Sequence, residues 1–213
     1  MNATRTRHIK LTYFDFHGGR GEPIRLALSI GGVAFEDERL PYARWAERRP
    51  HTPFGGLPVL EVDGKVISQS NAIGRYVGRL TGLYPEDPWQ AAQCDEICDA
   101  VEAMNTQMQP SFDIKDPELR RRERERLAAG PLPFHLKALA AVLTARGGQW
   151  FAENRLTIAD LKVSEAVRFL GTGKLDHIPK DIVHTNAPAL VAHREHVLEH
   201  PGVKAYYAKV MKA

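Results

Sequence analysis

Cysteine is almost missing from this chain. Cys94 and Cys98 are the only two in 213 residues, which offers no disulfide framework and fits a reducing compartment. They stand four apart, on one face of a helix, but they lack companion histidines for a zinc site and the tighter spacing of a redox pair. A shared buried face is the expected reading. Long apolar runs are missing as well, none approaching the roughly 18 residues of a membrane span. The opening MNATRTRHIK is basic with no apolar segment in it, unlike a secretory leader. A cytoplasmic protein without a membrane partner is therefore expected. Charge of one sign is scarce, since 29 Lys and Arg against 26 Asp and Glu leave +3. That excess is too small and too interleaved for a nucleic-acid surface. The one basic-looking run, RRRERER from Arg120 to Arg126, alternates with glutamate and reads as a solvated helix face.

What is present is ordinary for a globular chain: 43% hydrophobic and 26% charged residues, enough for one large domain or two small ones. His8 to Phe14 alternates as a short strand and stops at Gly18, Gly19 and Gly21. Glu22-Pro23 opens an apolar helix that ends at Gly31-Gly32. Val33 to Leu40 reads as a second strand, parallel to the first across a right-handed crossover. After an irregular stretch holding Trp45, Leu57 to Val62 and Lys65 to Ile67 form a hairpin around Asp63-Gly64. Ser70-Asn71 can cap the helix that runs to Gly82. Beyond the proline-bearing segment from Tyr84 to Pro88 only helical patterns recur. Asp116-Pro117 starts one helix, with Glu118/Arg122 and Arg121/Glu125 spaced for surface ion pairs, Thr157 and Asp160 form a variant capping box, and Pro201 starts a last helix.

One proline stands out. Pro58 opens a buried-looking strand, where a residue without an N–H belongs only at a first position or a special turn. Taken in order, LTYFDF, RGEPIRLAL, FEDERL, PFGGLPVLEVDG, QSNAIGRY and TIADL resemble the motifs of cytosolic glutathione transferases over nearly the whole chain, most closely a Sigma-like enzyme of bacterial type. The resemblance implies an α/β plus all-α architecture: a thioredoxin-like domain (βαβ-ββα) over 8–83, a linker over 84–90 and an all-helical domain over 91–213.

It also implies a site. Leu57-Pro58 would be a cis peptide whose leading residue offers its backbone to the cysteinyl part of glutathione, and Gln69-Ser70 would hold the γ-glutamyl carboxylate at a helix N-terminus. Tyr13 would give its hydroxyl to the glutathione sulfur, with Arg20 adding positive potential; the plain alternative is a strand-end core tyrosine. Trp45 and Arg49 would meet the glycyl end, and Asp99 would reach the partner subunit's glutathione in a homodimer. Phe16, Met104 and Met108 would wall the pocket for a small hydrophobic electrophile, although methionines at helical spacing often fill a core. Glutathione is then a co-substrate, and neither metal nor other cofactor is implied. A non-catalytic protein of the same fold that binds hydrophobic ligands is the alternative. Two departures matter: one more residue between Tyr13 and Arg20 than the usual Sigma pattern, and Gly56 where vertebrate members often carry lysine.

Overall fold

The computed structural model describes residues 7–210; most of the basic arm used above to argue against a leader lies outside the described residues. The chain divides into two compact units between Leu83 and Tyr84. The first contains β1 (Ile9–Phe14), α1 (Glu22–Ile30), β2 (Glu36–Leu40), α2 (Trp45–Arg48), β3 (Val59–Val62), β4 (Lys65–Ser68) and α3 (Ser70–Thr81). Its four strands run in the order β2-β1-β3-β4, with β1 parallel to β2 and antiparallel to β3. This is the thioredoxin-like arrangement, followed among the described residues of the second unit by helices alone.

Local chemistry accounts for these elements. The central strand β1 buries Ile9, Leu11, Thr12 and Tyr13, and the Thr12 hydroxyl is satisfied by Glu38 on β2 at 2.6 Å. Asp63 and Gly64 both take positive φ, as a two-residue hairpin requires. Boundaries differ from the sequence reading in places, β3 for example opening at Val59 and not at Leu57. Val33 to Phe35 do not extend β2, because the Val33 amide is drawn back to the Leu28 carbonyl at 2.9 Å and finishes α1. The cap of α3 falls on Gln69, at φ 71, with Ser70 already inside the helix. No side-chain cap bond forms there.

The second unit begins with α4 (Pro88–Met108), whose start lies inside the expected linker. Pro88 is a first-turn proline and the Asp87 carboxylate accepts from the Gln90 amide at 2.9 Å. Then come α5 (Pro110–Asp113), α6 (Pro117–Ala129), α7 (Pro131–Ala145), α8 (Ile158–Gly171), α9 (Ile182–Asn186), α10 (Pro188–Glu199) and α11 (Pro201–Val210). The stretch 117–145 is long and apolar enough by composition to cross a membrane, which a search for uninterrupted apolar runs passes over. Gly130 breaks it into α6 and α7. The expected ion pairs on α6 form, Arg122 to Glu118 at 2.9 Å and Arg121 to Glu125 at 2.7 Å. Arg124 departs from the solvated face: it is buried, pairs with Asp176 and lies against the Phe112 ring. Burial lowers its pKa. Cys94 and Cys98 are buried together, and their mutual hydrogen bond pulls the Cys94 thiol down and pushes the Cys98 thiol up.

The capping box at the head of α8 is a buried junction. Asp160 accepts from the Thr157 amide (2.8 Å), the Thr157 hydroxyl (2.7 Å) and the Phe151 amide (3.0 Å), and pairs with His193 of α10 at 3.0 Å. Its replacement strands buried donors, so Asp160→Ala should cost about 3–5 kcal/mol in urea unfolding. A second outcome concerns acid. Hydrogen bonds from Arg121 and then Arg122 lower the exposed Glu118 from 4.5 to about 2. A depressed folded pKa gives stability that is present above the unfolded value and lost as pH falls towards the folded one. Glu118→Gln should therefore flatten the pH dependence of stability between those two values, and added salt should shrink the difference.

Candidate functional site

Register alone gathers the site. The β1–β3 ladder ends at the pair Thr12–Val59 and the β3–β4 ladder at Val59–Ser68. One step further along, Tyr13 falls beside Pro58 and Pro58 beside Gln69. The last turn of β1, the entry to β3 and the first turn of α3 thus meet at one end of the sheet. The Leu57-Pro58 peptide is cis, Pro58 is buried and Leu57 half-buried. Leu57 lies past the last rung of pairing. Ser70 and the amides of the first helical turn form an N-terminus of the kind that favours an anion.

Tyr13 is 5% exposed. Its hydroxyl accepts a hydrogen bond from the Arg20 amide at 3.0 Å. Two glycines make room for it. A Cβ at Gly19 would sit 2.5 Å from the Tyr13 hydroxyl, and one at Gly21 would sit 2.4 Å from ring atom Cδ1. The Phe16 ring meets Tyr13 edge-on at 5.6 Å and is 44% exposed, an apolar surface next to the phenol. Trp45 joins the same aromatic group, edge-on to Phe14 at 5.4 Å. Arg49 is exposed on the turn after α2 and passes by Gly55. Arg20 supplies Tyr13 with a main-chain N–H, a contact distinct from the positive potential expected of its side chain near the sulfur.

The remaining expected residues belong to the second unit. Asp99 is on the exposed side of α4. Met104 and Met108, at 0% and 3% exposure, pack inside that unit and present almost no surface to a ligand. Here the core alternative prevails.

Sequence reasoning missed the support beneath Tyr13. Arg25 is 1% exposed in the middle of an apolar helix. Its Nε donates to Asp37 at 3.0 and 3.1 Å, and its two terminal nitrogens donate to the Phe16 carbonyl (3.1 Å), the Phe14 carbonyl (3.4 Å) and Glu22 (3.4 Å). Glu22, also buried, accepts from the Gly18 amide at 3.0 Å. The available signal was a lone charge among IRLALSI, since a buried charge has to be paired. A separate cavity of about 300 Å³ is lined by Glu38, Arg39, Arg44, Arg48 and His51 and includes none of the expected residues. Among the described residues no cluster of three metal-ligating side chains occurs.

Residues 9–79 match the family model described as glutathione S-transferase, N-terminal domain, and residues 103–210 the one described as glutathione S-transferase, C-terminal domain. Glutathione S-transferase 1 of Ascaris suum is 34% identical over 203 residues, 94% of this chain and 95% of that protein. The hematopoietic prostaglandin D synthase of Gallus gallus is 32% identical over 200 residues, again 94% of this chain and 95% of that protein. Among solved structures, prostaglandin synthase D of Nilaparvata lugens superposes with a TM-score of 0.84 at 32% identity, covering 95% of this chain and 98% of that one. These are animal proteins, and the bacterial subtype expected from the sequence finds no support in them.

The close approach of Gly21 to Tyr13 makes a sharp test of the geometry. Gly21→Ala should destabilise the protein by about 1–3 kcal/mol, measured by urea denaturation. The matching change at Gly32, where a Cβ meets nothing within 4 Å but φ is +64, should carry only the backbone cost of about 1 kcal/mol.

Proposed function

The chain belongs to the glutathione S-transferase family and carries its transferase activity, and from that premise we propose that Tyr13 activates glutathione for attack on a small hydrophobic electrophile. The carrying observation is the Tyr13 hydroxyl, fixed by the Arg20 amide at 3.0 Å beside the cis Leu57-Pro58 peptide and the start of α3. An accepted hydrogen bond polarises the phenol and makes it a better donor. In this reading the glutathione thiol loses its proton to solvent, the Tyr13 O–H donates to the resulting thiolate, and the sulfur lone pair forms a C–S bond as the electrophile's leaving group departs.

The remaining contacts follow the sheet end. The main chain of Leu57 receives the cysteinyl unit, Gln69 and Ser70 with the α3 N-terminus hold the γ-glutamyl carboxylate, and Trp45 and Arg49 take the glycyl carboxylate. Arg20 lends positive potential to this end of the sheet. Phe16 forms part of the electrophile's wall. Asp99 acts across a homodimer, the usual state of the family, in a cytosolic setting typical of it. Disulfide reduction is disfavoured, since Cys94 and Cys98 are both buried.

A thiol pKa lowered from about 8.5 to about 6.5 is worth roughly 2.7 kcal/mol and raises the thiolate at pH 7 from about 3% to about 75%. Lower basicity also weakens the nucleophile, removing nearly tenfold of that gain at a Brønsted slope of about 0.4–0.5. Most of the acceleration then comes from holding sulfur and electrophile together and stabilising charge in the transition state.

Tyr13→Phe should raise the pKa of bound glutathione towards its solution value and lower turnover of a model aryl halide at pH 7 by about threefold, the gain that remains once the weaker nucleophile is counted. Thiolate absorbance against pH gives the first quantity and steady-state kinetics the second; an unchanged thiol pKa with glutathione still bound would overturn the assignment.

A further inference from the structure

We propose that Arg25 is the positioning residue for the Tyr13 hydroxyl, a role that rests on the reading of Tyr13 given above. The loop between β1 and the Gly19–Gly21 turn is irregular and contains the additional residue. A free loop of that kind would let the Arg20 amide drift from the phenol. It is instead gripped from α1 at successive points. Arg25 bonds the carbonyls of Phe14 and Phe16, and Glu22, itself bonded to Arg25, takes the Gly18 amide. The same guanidinium lies 5.6 Å from the centre of the Tyr13 ring, against the side chain whose hydroxyl is in question. Asp37 on β2 fixes the fork through Nε, and Asp37 is in turn bonded by Arg39 at 2.9 Å.

A purely structural arginine would need only to satisfy its charge. This one joins the end of β1, the loop, the first turn of α1 and β2 through a planar fork, and it does so directly beneath the phenol. A lysine could keep the charge and could not keep this set of angles. The consequence is specific: loosening the fork should free the Arg20 amide from the Tyr13 oxygen before it disturbs the sheet.

Amide hydrogen exchange on the full chain reads that bond directly, and the pKa of bound glutathione reads its chemical effect. Arg25→Lys, and Asp37→Asn as the milder variant should Arg25→Lys fail to fold, are expected to speed exchange of the Arg20 amide by about tenfold while the Leu11 and Leu60 amides of the sheet keep theirs. The glutathione thiol pKa should rise by half or more of the Tyr13→Phe shift. Unchanged Arg20 exchange, or exchange that quickens equally in the sheet, would overturn the positioning role. If Tyr13→Phe shifts the thiol pKa and the folded Arg25 or Asp37 variants do not, Arg25 is only structural and the proposal fails while the Tyr13 reading stands. If Tyr13→Phe has no effect, both fall.

Discussion

A hydroxyl at the end of a strand has no ladder to hold it, and the hydrogen bond from the Arg20 amide to Tyr13 is the contact around which the first unit is arranged. The sheet brings the tyrosine to the right end, but register fixes only its backbone. The side chain has to be located by groups that approach from outside the strand: two glycines whose missing Cβ atoms leave space, a buried arginine below the ring, and a loop tied down where it turns. Each is cheap alone, and together they remove the freedom of a residue that a strand end would otherwise leave loose.

How much of this could be read from the sequence follows the range of the signals. The Asp63-Gly64 hairpin, the proline at the head of β3 and the Thr157–Asp160 box are encoded within a few residues, and each stands where it was expected. The α3 cap shows a local rule giving way to a tertiary one. Ser70-Asn71 is a good capping pair, but the chain leaves β4 at Ser68 and must reverse at once, so Gln69 takes the left-handed conformation and the helix starts one residue early. His193 was beyond reach because it meets Asp160 across 33 positions, whereas Arg25, with every partner within 12 positions, left its signal in the lone charge of IRLALSI. Met104 and Met108 carried the right residue type for a wall, and only burial shows which way they face.

The second unit distributes its polar residues differently from the first. Its surface arginines on α6 pair along their own helix, where solvent leaves such pairs little worth. Its interior relies on Asp160 and Arg124, which bridge separate segments and have few alternatives once buried. Stability in that unit therefore depends on a handful of internal junctions more than on its many visible ion pairs.

The edge strand β2 reads Glu36-Asp37-Glu38-Arg39-Leu40, with charge at four successive positions. Another extended chain laid against it would bring its backbone up to a row of carboxylates, two of which, Asp37 and Glu38, are already committed to Arg25, Arg39 and Thr12. Growth of the sheet by addition of strands is thereby discouraged on that side. The residues that brace the tyrosine from β2 also blunt that edge, so a substitution that relaxes β2 carries a risk of aggregation with it.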